Sequence, residues 1–267
     1  MPGAIERAFG TSAPLIGVVH LPPLPGYSGC PGMPALVEHA LADLEAFEGG
    51  GLQGVLVENE HDRPHRVEAA GETIAAMAVI AHALVRASRQ IAVGVEILLN
   101  DPEASLAAAA AAGAAFIRTD YFSDPMARPE YGAMRVAPDA VIAYREALGA
   151  SQILVLADIQ VKYATMLEPC SLRESAARAR SAGADAIVVS GNRTGEPPSL
   201  DELADARDGA GGVPVLVGSG LDAANAGRLL RVADGAIVGT SLLQDGHATV
   251  ARVSELVLAA AGARSRA

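Results

Sequence analysis

Short apolar runs alternate with longer segments of helical spacing along the whole chain, at a repeat of roughly thirty residues, the size of a strand–helix unit. The first run, Leu15 to His20 (LIGVVH), is rich in β-branched residues and predicts a strand. A helix is expected from Pro34 to Glu48, where Leu36, Val37, Ala40, Leu41, Leu44 and Phe47 recur at helical spacing until Gly49, Gly50 and Gly51 stop them. The alternation then continues. Further strands are predicted over Gly54 to Val57, Ile91 to Leu98, Ala115 to Thr119, Gln152 to Ile159, Ala186 to Val189, Val213 to Val217 and Ala236 to Val238. The intervening helices are expected over Val67 to Ala87, Pro102 to Ala112, Pro138 to Leu148, Leu172 to Ala182 and Ser199 to Arg207. Another is capped at Asp222, and a last one spans about Thr249 to Ala261. Strand–helix–strand crossovers make parallel strands, so the choice lies between an open doubly wound sheet and a closed barrel. The strands are eight in number and short, and no GxGxxG follows the first, which predicts an α/β fold made of a single (β/α)8 TIM barrel over residues 1–267.

Composition agrees with one domain, since no stretch rich in Pro, Ser or charge divides the chain. Hydrophobic residues make up 51% but aromatics only 3%, with no Trp, so the core must be built from Ala, Val, Leu and Ile. Branched side chains of that kind fill barrel interiors in layers. The formal net charge is −11 and no Arg or Lys stripe appears, which argues against nucleic acid and anionic membranes as partners. Cys30 and Cys170 are too few for a disulfide framework, and the first residues lack a signal pattern; a cytoplasmic location is expected. The Ala-rich run from Leu106 to Phe116 is interrupted by Gly113 and falls well short of the roughly 20 residues of a membrane span. Ala- and Leu-rich helix surfaces leave room for a homo-oligomer.

The most informative stretch is Val213 to Leu242. Two apolar runs there each end in a turn of glycine and hydroxyl residues: Gly218, Ser219 and Gly220, then Gly239, Thr240 and Ser241. Glycines let backbone N–H groups approach a ligand, hydroxyls add donors, and a following helix N-terminus adds partial positive charge. Ordinary strand-to-helix turns also carry glycine, but barrels commonly hold phosphate on the loops after strands seven and eight. The pair is therefore read as a phosphate site.

The ends of barrel strands share one mouth, so residues distant in sequence can be gathered there. The predicted ends present His20, Glu58, Asn59, Glu96, Arg118, Asp120, Asp158, Gln160, Lys162, Ser190, Asn192 and Thr194. Buried strands seldom terminate in so many polar groups unless a polar ligand meets them. Lys162 is the only lysine among twenty Lys and Arg residues, and unlike Arg an amine can act as acid, base or Schiff-base nucleophile. Period-two spacing puts Asp158, Gln160 and Lys162 on one side if the strand continues, which suits a carboxylate, an amide and an amine acting on one substrate. An Asp158–Lys162 ion pair that merely fixes the loop is the competing reading. Catalysis is assigned to Asp158, Lys162 and Glu58, and substrate binding to the other mouth residues. No cofactor is required. Glu58, Glu96 and Asp158 could hold Mg²⁺, and His20, His61 and His65 extend the choice to another divalent metal, although no ligand spacing demands one.

The loops add three expectations. Pro22, Pro23 and Pro25 impose an extended segment after the first strand, a site wall or else a partner surface. The stretch from Asp120 to about Val136 is long enough for a functional loop. Gly191, Thr194 and Gly195 give the loop after strand six the small residues of a lid.

The residues IGVVHLPPLPG (Ile16 to Gly26), Val57-Glu58-Asn59 with Asp62 and Pro64, Ala157-Asp158 with Val161-Lys162, Thr194 to Pro198, VGSG and DGAIVGTSL together resemble the BtpA/SgcQ family, over about Leu15 to Gly246. The resemblance implies a ribulose-phosphate-binding type of barrel. One branch is named for biogenesis of a photosynthetic membrane complex and the other is associated with sugar metabolism. The sequence departs from the family pattern at Glu96, where Asn is usual, at Gln160, where His is usual, and at His65, where an aromatic is usual. Two functions are therefore expected in competition. One is an enzyme of isomerase, epimerase, lyase or aldolase type acting on a small phosphorylated metabolite, a sugar phosphate or nucleotide-like compound. The other is a non-catalytic assembly factor.

Overall fold

In the computed structural model, which describes residues 3–264, the eight apolar runs pair in parallel into a closed barrel. The strands are β1 (Leu15–His20), β2 (Gly54–Glu58), β3 (Ala92–Glu96), β4 (Phe116–Thr119), β5 (Leu154–Ile159), β6 (Ala186–Val189), β7 (Val215–Val217) and β8 (Gly235–Val238). Each pairs with its neighbours in chain order, and β8 closes on β1 through Leu15 opposite Ala236. The fold is the predicted (β/α)8 barrel.

Alternate residues of the strands face inward. Ile16, Val18, Leu56, Phe116, Leu156, Val188, Leu216 and Ile237 form one buried cluster inside the barrel, while Val19, Val55, Val57, Val93, Val155 and Val217 pack outward against the helices. Gly94 faces inward, and a Cβ there would lie 2.1 Å from the Phe116 ring, so this glycine makes room for the largest side chain of the interior. The bottom is closed by a helix that the strand-to-helix rhythm did not predict, α1 (Ala4–Phe9), whose Ile5 and Phe9 join the inner cluster. Phe9 stacks at a tilt on Phe116 with ring centroids 5.1 Å apart.

The outer helices are α2 (Met33–Gly50), α3 (Gly71–Ala87), α4 (Pro102–Ala112), α5 (Pro138–Ala147), α6 (Leu172–Ser181), α7 (Leu200–Ala210), α8 (Ala226–Leu229) and α9 (Val250–Arg264). Capping boxes at Ser171 with Glu174 and at Ser199 with Glu202 set the starts of α6 and α7. Four expectations need correction. First, α2 does not stop at Gly49 but continues through Gly50, because α9 packs so closely that a Cβ at Gly50 would lie 2.2 Å from Val253; Gly51, with φ 93°, ends the helix. Second, α3 begins at Gly71 rather than Val67, the residues before it forming a loop at the mouth. Third, Asp222 caps no long helix. It exchanges hydrogen bonds with Asn225 in a tight turn, Asn225 N–H to Asp222 Oδ1 at 2.9 Å and Asp222 N–H to Asn225 Oδ1 at 3.0 Å, and α8 has only four residues. Fourth, the stretch after β4 carries its own structure. Met126–Arg128 pairs antiparallel with Gly132–Ala133 and with Thr165–Met166, tying the loop after β4 to the one after β5. A hairpin of Leu243–Gln244 with His247–Ala248 precedes α9.

Candidate functional site

The inward alternation of each strand continues past the apolar layers to its C-terminal end, and there it delivers charge. His20, Glu58 and Glu96 lie side by side in register on β1, β2 and β3. Arg118 follows Phe116 on β4, and Asp158 follows Leu156 on β5. His20, Glu58, Glu96 and Arg118 floor a cavity of about 1150 Å³ whose walls are the loops after the strands. A cavity of that size holds a small metabolite.

Arg118 organises the floor. Its guanidinium grips Asp158 with two bonds, Nε to Oδ2 at 2.7 Å and Nη2 to Oδ1 at 3.0 Å, and Ser190 Oγ donates to the same Oδ1 at 3.2 Å. Arg118 Nη1 lies 3.3 Å from Glu58 Oε1 and 3.7 Å from Glu96 Oε2. Three buried carboxyl groups therefore converge on one buried cation, an arrangement that tolerates two negative charges better than three. Burial raises Glu96 well above the usual carboxylate range; Arg118 opposes this, and the neighbouring charges of Glu58 and Asp120 add to it. Burial also pushes on Glu58, but Arg118, a hydrogen bond from Glu96 and His20 outweigh it and hold Glu58 below its ordinary value. The two shifts run in opposite directions, favouring the protonated form of Glu96 and the anion of Glu58. His20 Nε2 stands 3.9 Å from Glu58 Oε2 on the other side. Asp120, half-buried at the rim, is pushed up to about 6 by burial and by the charge of Asp158, against Arg118 and Lys162. The mouth thus holds carboxyl groups pushed apart, Glu96 up, Glu58 down and Asp120 to about 6, the separation that acid–base chemistry uses.

The two glycine turns adjoin this floor, Gly239 beside His20 and Gly218 beside Arg118, and all six of their predicted residues line the cavity. The hydroxyls of two are engaged by the protein itself. Ser219 Oγ donates to Glu196 O at 2.7 Å and accepts from Gly191 N–H at 2.9 Å, while Ser241 Oγ donates to Leu221 O at 2.7 Å. They brace the loops and leave the main chain as donor. Among the described residues, the N–H groups of Gly220, Leu221, Thr240 and Ser241 have no carbonyl acceptor. Gly220, at φ 67°, could not carry a side chain, since its Cβ would lie 2.3 Å from Pro197 N.

The structure brings His20, Glu58, Glu96, Arg118, Asp120, Lys162 and Thr194 to the cavity wall and places five other expected residues elsewhere. Asp158 lies beneath the floor, paired with Arg118 rather than Lys162; Lys162 acts on Glu58 and Asp120 only as a longer-range positive charge. Gln160 has φ 45°, which breaks the alternation assumed for Asp158, Gln160 and Lys162. Its amide turns away to Cys170 O and Ser175 Oγ, each at 3.0 Å. Asn59 is buried and pins the next loop, accepting from Leu98 N–H at 2.7 Å and donating to Asp62 Oδ2 at 3.0 Å. Ser190 supports Asp158, and Asn192 is exposed away from the cavity. The acidic trio Glu58, Glu96 and Asp158 closes around Arg118, so a guanidinium stands where a shared Mg²⁺ would have to sit.

Comparison with known proteins gives the family and agrees with the fold. The family model described as BtpA family matches residues 11–262. The chain belongs to the BtpA family. Among its relatives, an uncharacterized protein of Archaeoglobus fulgidus is 38% identical over 248 residues, 93% of this chain and 98% of that one. The Photosystem I biogenesis protein BtpA of Synechocystis is 37% identical over 246 residues, 90% of this chain and 84% of that one. Among solved structures, a thiamine phosphate pyrophosphorylase from Pyrococcus furiosus superposes with a TM-score of 0.61 at 17% identity, covering 94% of this chain and 97% of that one. That likeness is one of fold.

Three mouth residues of this BtpA-family barrel, Arg63, Arg128 and Tyr163, were not singled out from the sequence. Arg63 and Arg128 line the cavity from loops, Arg63 paired with Glu60 and Arg128 lying 5.8 Å from the Tyr163 ring centre. Tyr163 in turn ties the loop after β6 to the mouth, its hydroxyl accepting from Thr194 N–H at 3.0 Å. His65 is buried beside Arg63 and Arg128, and burial with those charges lowers it to about 4, a neutral imidazole. The proline segment after β1 is a wall: Leu21 and Leu24 are fully buried, Leu24 N–H donates to Asp62 Oδ1 at 2.8 Å, and Pro22 and Pro23 face the cavity. Among the described residues no helix is long and apolar enough to cross a membrane.

Proposed function

We propose that this BtpA-family barrel binds a small phosphorylated metabolite in its mouth and moves protons on it. The phosphate rests on the turns after β7 and β8, and the reacting carbons lie over Glu58 and Glu96. The observation that carries this reading is the set of unaccepted N–H groups at Gly220, Leu221, Thr240 and Ser241, on residues lining a cavity whose floor holds one carboxyl group raised and one lowered from the ordinary range. Converging N–H groups bind anions without any lysine. Glu96 would donate a proton and Glu58 accept one, while Lys162 and Arg128 add positive charge to a mouth in an otherwise acidic protein. Removing a proton and returning it to the adjacent carbon makes an isomerase, returning it to the opposite face of the same carbon makes an epimerase, and the same pair could assist carbon–carbon cleavage in a lyase. Asp158, expected as a catalyst, becomes the residue that positions Arg118.

Support also comes from the phosphate named for the thiamine phosphate pyrophosphorylase that shares the fold. A second reading, participation in assembling a membrane complex, rests on the name of the Synechocystis relative. Thermal denaturation against sugar phosphates, nucleotides and their dephosphorylated counterparts separates the two. At about 100 times its dissociation constant a ligand adds roughly 2.7 kcal/mol of stability. The metabolite reading expects a midpoint raised only by phosphorylated compounds and lost in Thr240→Asp, which places a negative charge on an exposed turn residue without altering the core. Equal shifts from both members of every pair, or none from any, would remove the phosphate and favour the assembly role.

A further inference from the structure

A second polar cluster lies at the rim, where α2 meets the hairpin before α9. His39 and Asp43 stand one helical turn apart on α2 and so share a face. His247 arrives from the hairpin, anchored by Ala248 N–H donating to Asp43 Oδ1 at 3.0 Å. His247 Nδ1 is 3.3 Å from Asp43 Oδ1, and His39 Nε2 is 3.8 Å from Asp43 Oδ2. One donor atom from each of the three residues lies within 4.8 Å of the others, and among the described residues no second group of His, Cys, Asp or Glu gathers this closely. Asp43 is only 1% exposed. Its Oδ2 and the facing His39 Nε2 are buried and have no hydrogen-bond partner.

Two unpartnered buried polar atoms 3.8 Å apart leave a place for a shared partner. A shared proton does not fit well, because 3.8 Å is beyond hydrogen-bond length and the His247 ring lies 4.4 Å from that of His39. Around an ion with bonds of about 2.0–2.2 Å, tetrahedral ligands stand about 3.3–3.6 Å apart; His247 and His39 lie 3.3 and 3.8 Å from the two oxygens of Asp43, and the three donor atoms lie within 4.8 Å of one another, so small side-chain shifts bring them to that spacing. Two imidazoles and a carboxylate select a borderline transition ion over Mg²⁺, which prefers oxygen.

We infer that His39, Asp43 and His247 form a binding site for one divalent transition metal of the Zn²⁺ class, with its remaining position open to the mouth. Both histidines line the cavity, so a water or ligand oxygen can complete the coordination there. The ion would also clamp the hairpin, and with it the turn at Thr240 and Ser241, onto α2.

The test titrates chelator-treated full-length protein, free of substrate, with Zn²⁺ by calorimetry and with Co²⁺ by visible absorption. Failure here would leave the phosphate reading standing. One ion per chain is expected, with four-coordinate Co²⁺ bands, no competition from equimolar Mg²⁺, and affinity reduced at least about tenfold in His247→Ala, since even outer-shell losses reach that size. His247 is exposed, so this variant keeps its fold, and His39→Asn must weaken binding likewise. Absence of binding, or equal affinity and unchanged Co²⁺ bands in both variants, would overturn the site.

Discussion

Asp120→Asn isolates one titrating group of the mouth and predicts a stability difference whose sign depends on pH. In the folded protein burial and Asp158 push Asp120 from 3.8 to about 6. Between those values the folded chain holds a proton that the unfolded chain has released, so the wild type loses stability as pH rises through the window. Asparagine mimics the protonated acid and does not titrate. Below pH 3.8 the two proteins should therefore match closely, and the variant should gain steadily as pH rises toward 6 and hold its advantage above it. About two pH units at about 1.4 kcal/mol each give a plateau of roughly 2–3 kcal/mol in favour of the variant. Urea unfolding of both proteins at half-unit intervals from pH 3.5 to 7.5 measures the difference directly. A difference that does not change with pH, or one in which the wild type becomes the more stable protein as pH rises, would refute the reasoning: Asp120 would then be an ordinary carboxylate held by Arg118 and Lys162.

Two further substitutions test the packing and the floor. Gly50→Ala should destabilise the protein by about 1–3 kcal/mol in thermal denaturation, although alanine ordinarily stabilises a helix interior by about 0.5–1 kcal/mol, because its methyl would meet Val253 at 2.2 Å; a stabilised variant would show that α2 and α9 separate freely. Arg118→Met should cost about 3–5 kcal/mol at pH 7 by leaving Asp158 and Glu58 buried without a cation, and part of the loss should return on acidification as Glu58, no longer held down by Arg118, takes up a proton, a recovery read from urea midpoints at pH 7 and 5.

Much of this could be read from the chain alone. Eight apolar runs, each bounded by turn residues, determined the strands, and crossover helices made them parallel, because hydrophobic periodicity and chain connectivity are local properties. The same logic named His20, Glu58, Glu96, Arg118 and the glycine turns, since a strand end in a barrel is a place at the mouth whatever its partners. What sequence could not decide was who pairs with whom. Asp158 and Lys162 are near in sequence, yet Asp158 is held by Arg118, forty residues away, because β4 and β5 are neighbours and Gln160 turns the chain at a positive φ before Lys162 is reached. Which of Glu58 and Glu96 keeps the proton depends on burial and on the distance to one guanidinium, quantities that exist only after the barrel closes. Likewise α1 became a plug, Gly50 a contact rather than a stop, and His39, Asp43 and His247 a cluster through the packing of α2 against a hairpin some two hundred residues later. Periodicity determines which face of an element is buried; register and closure decide what that face meets.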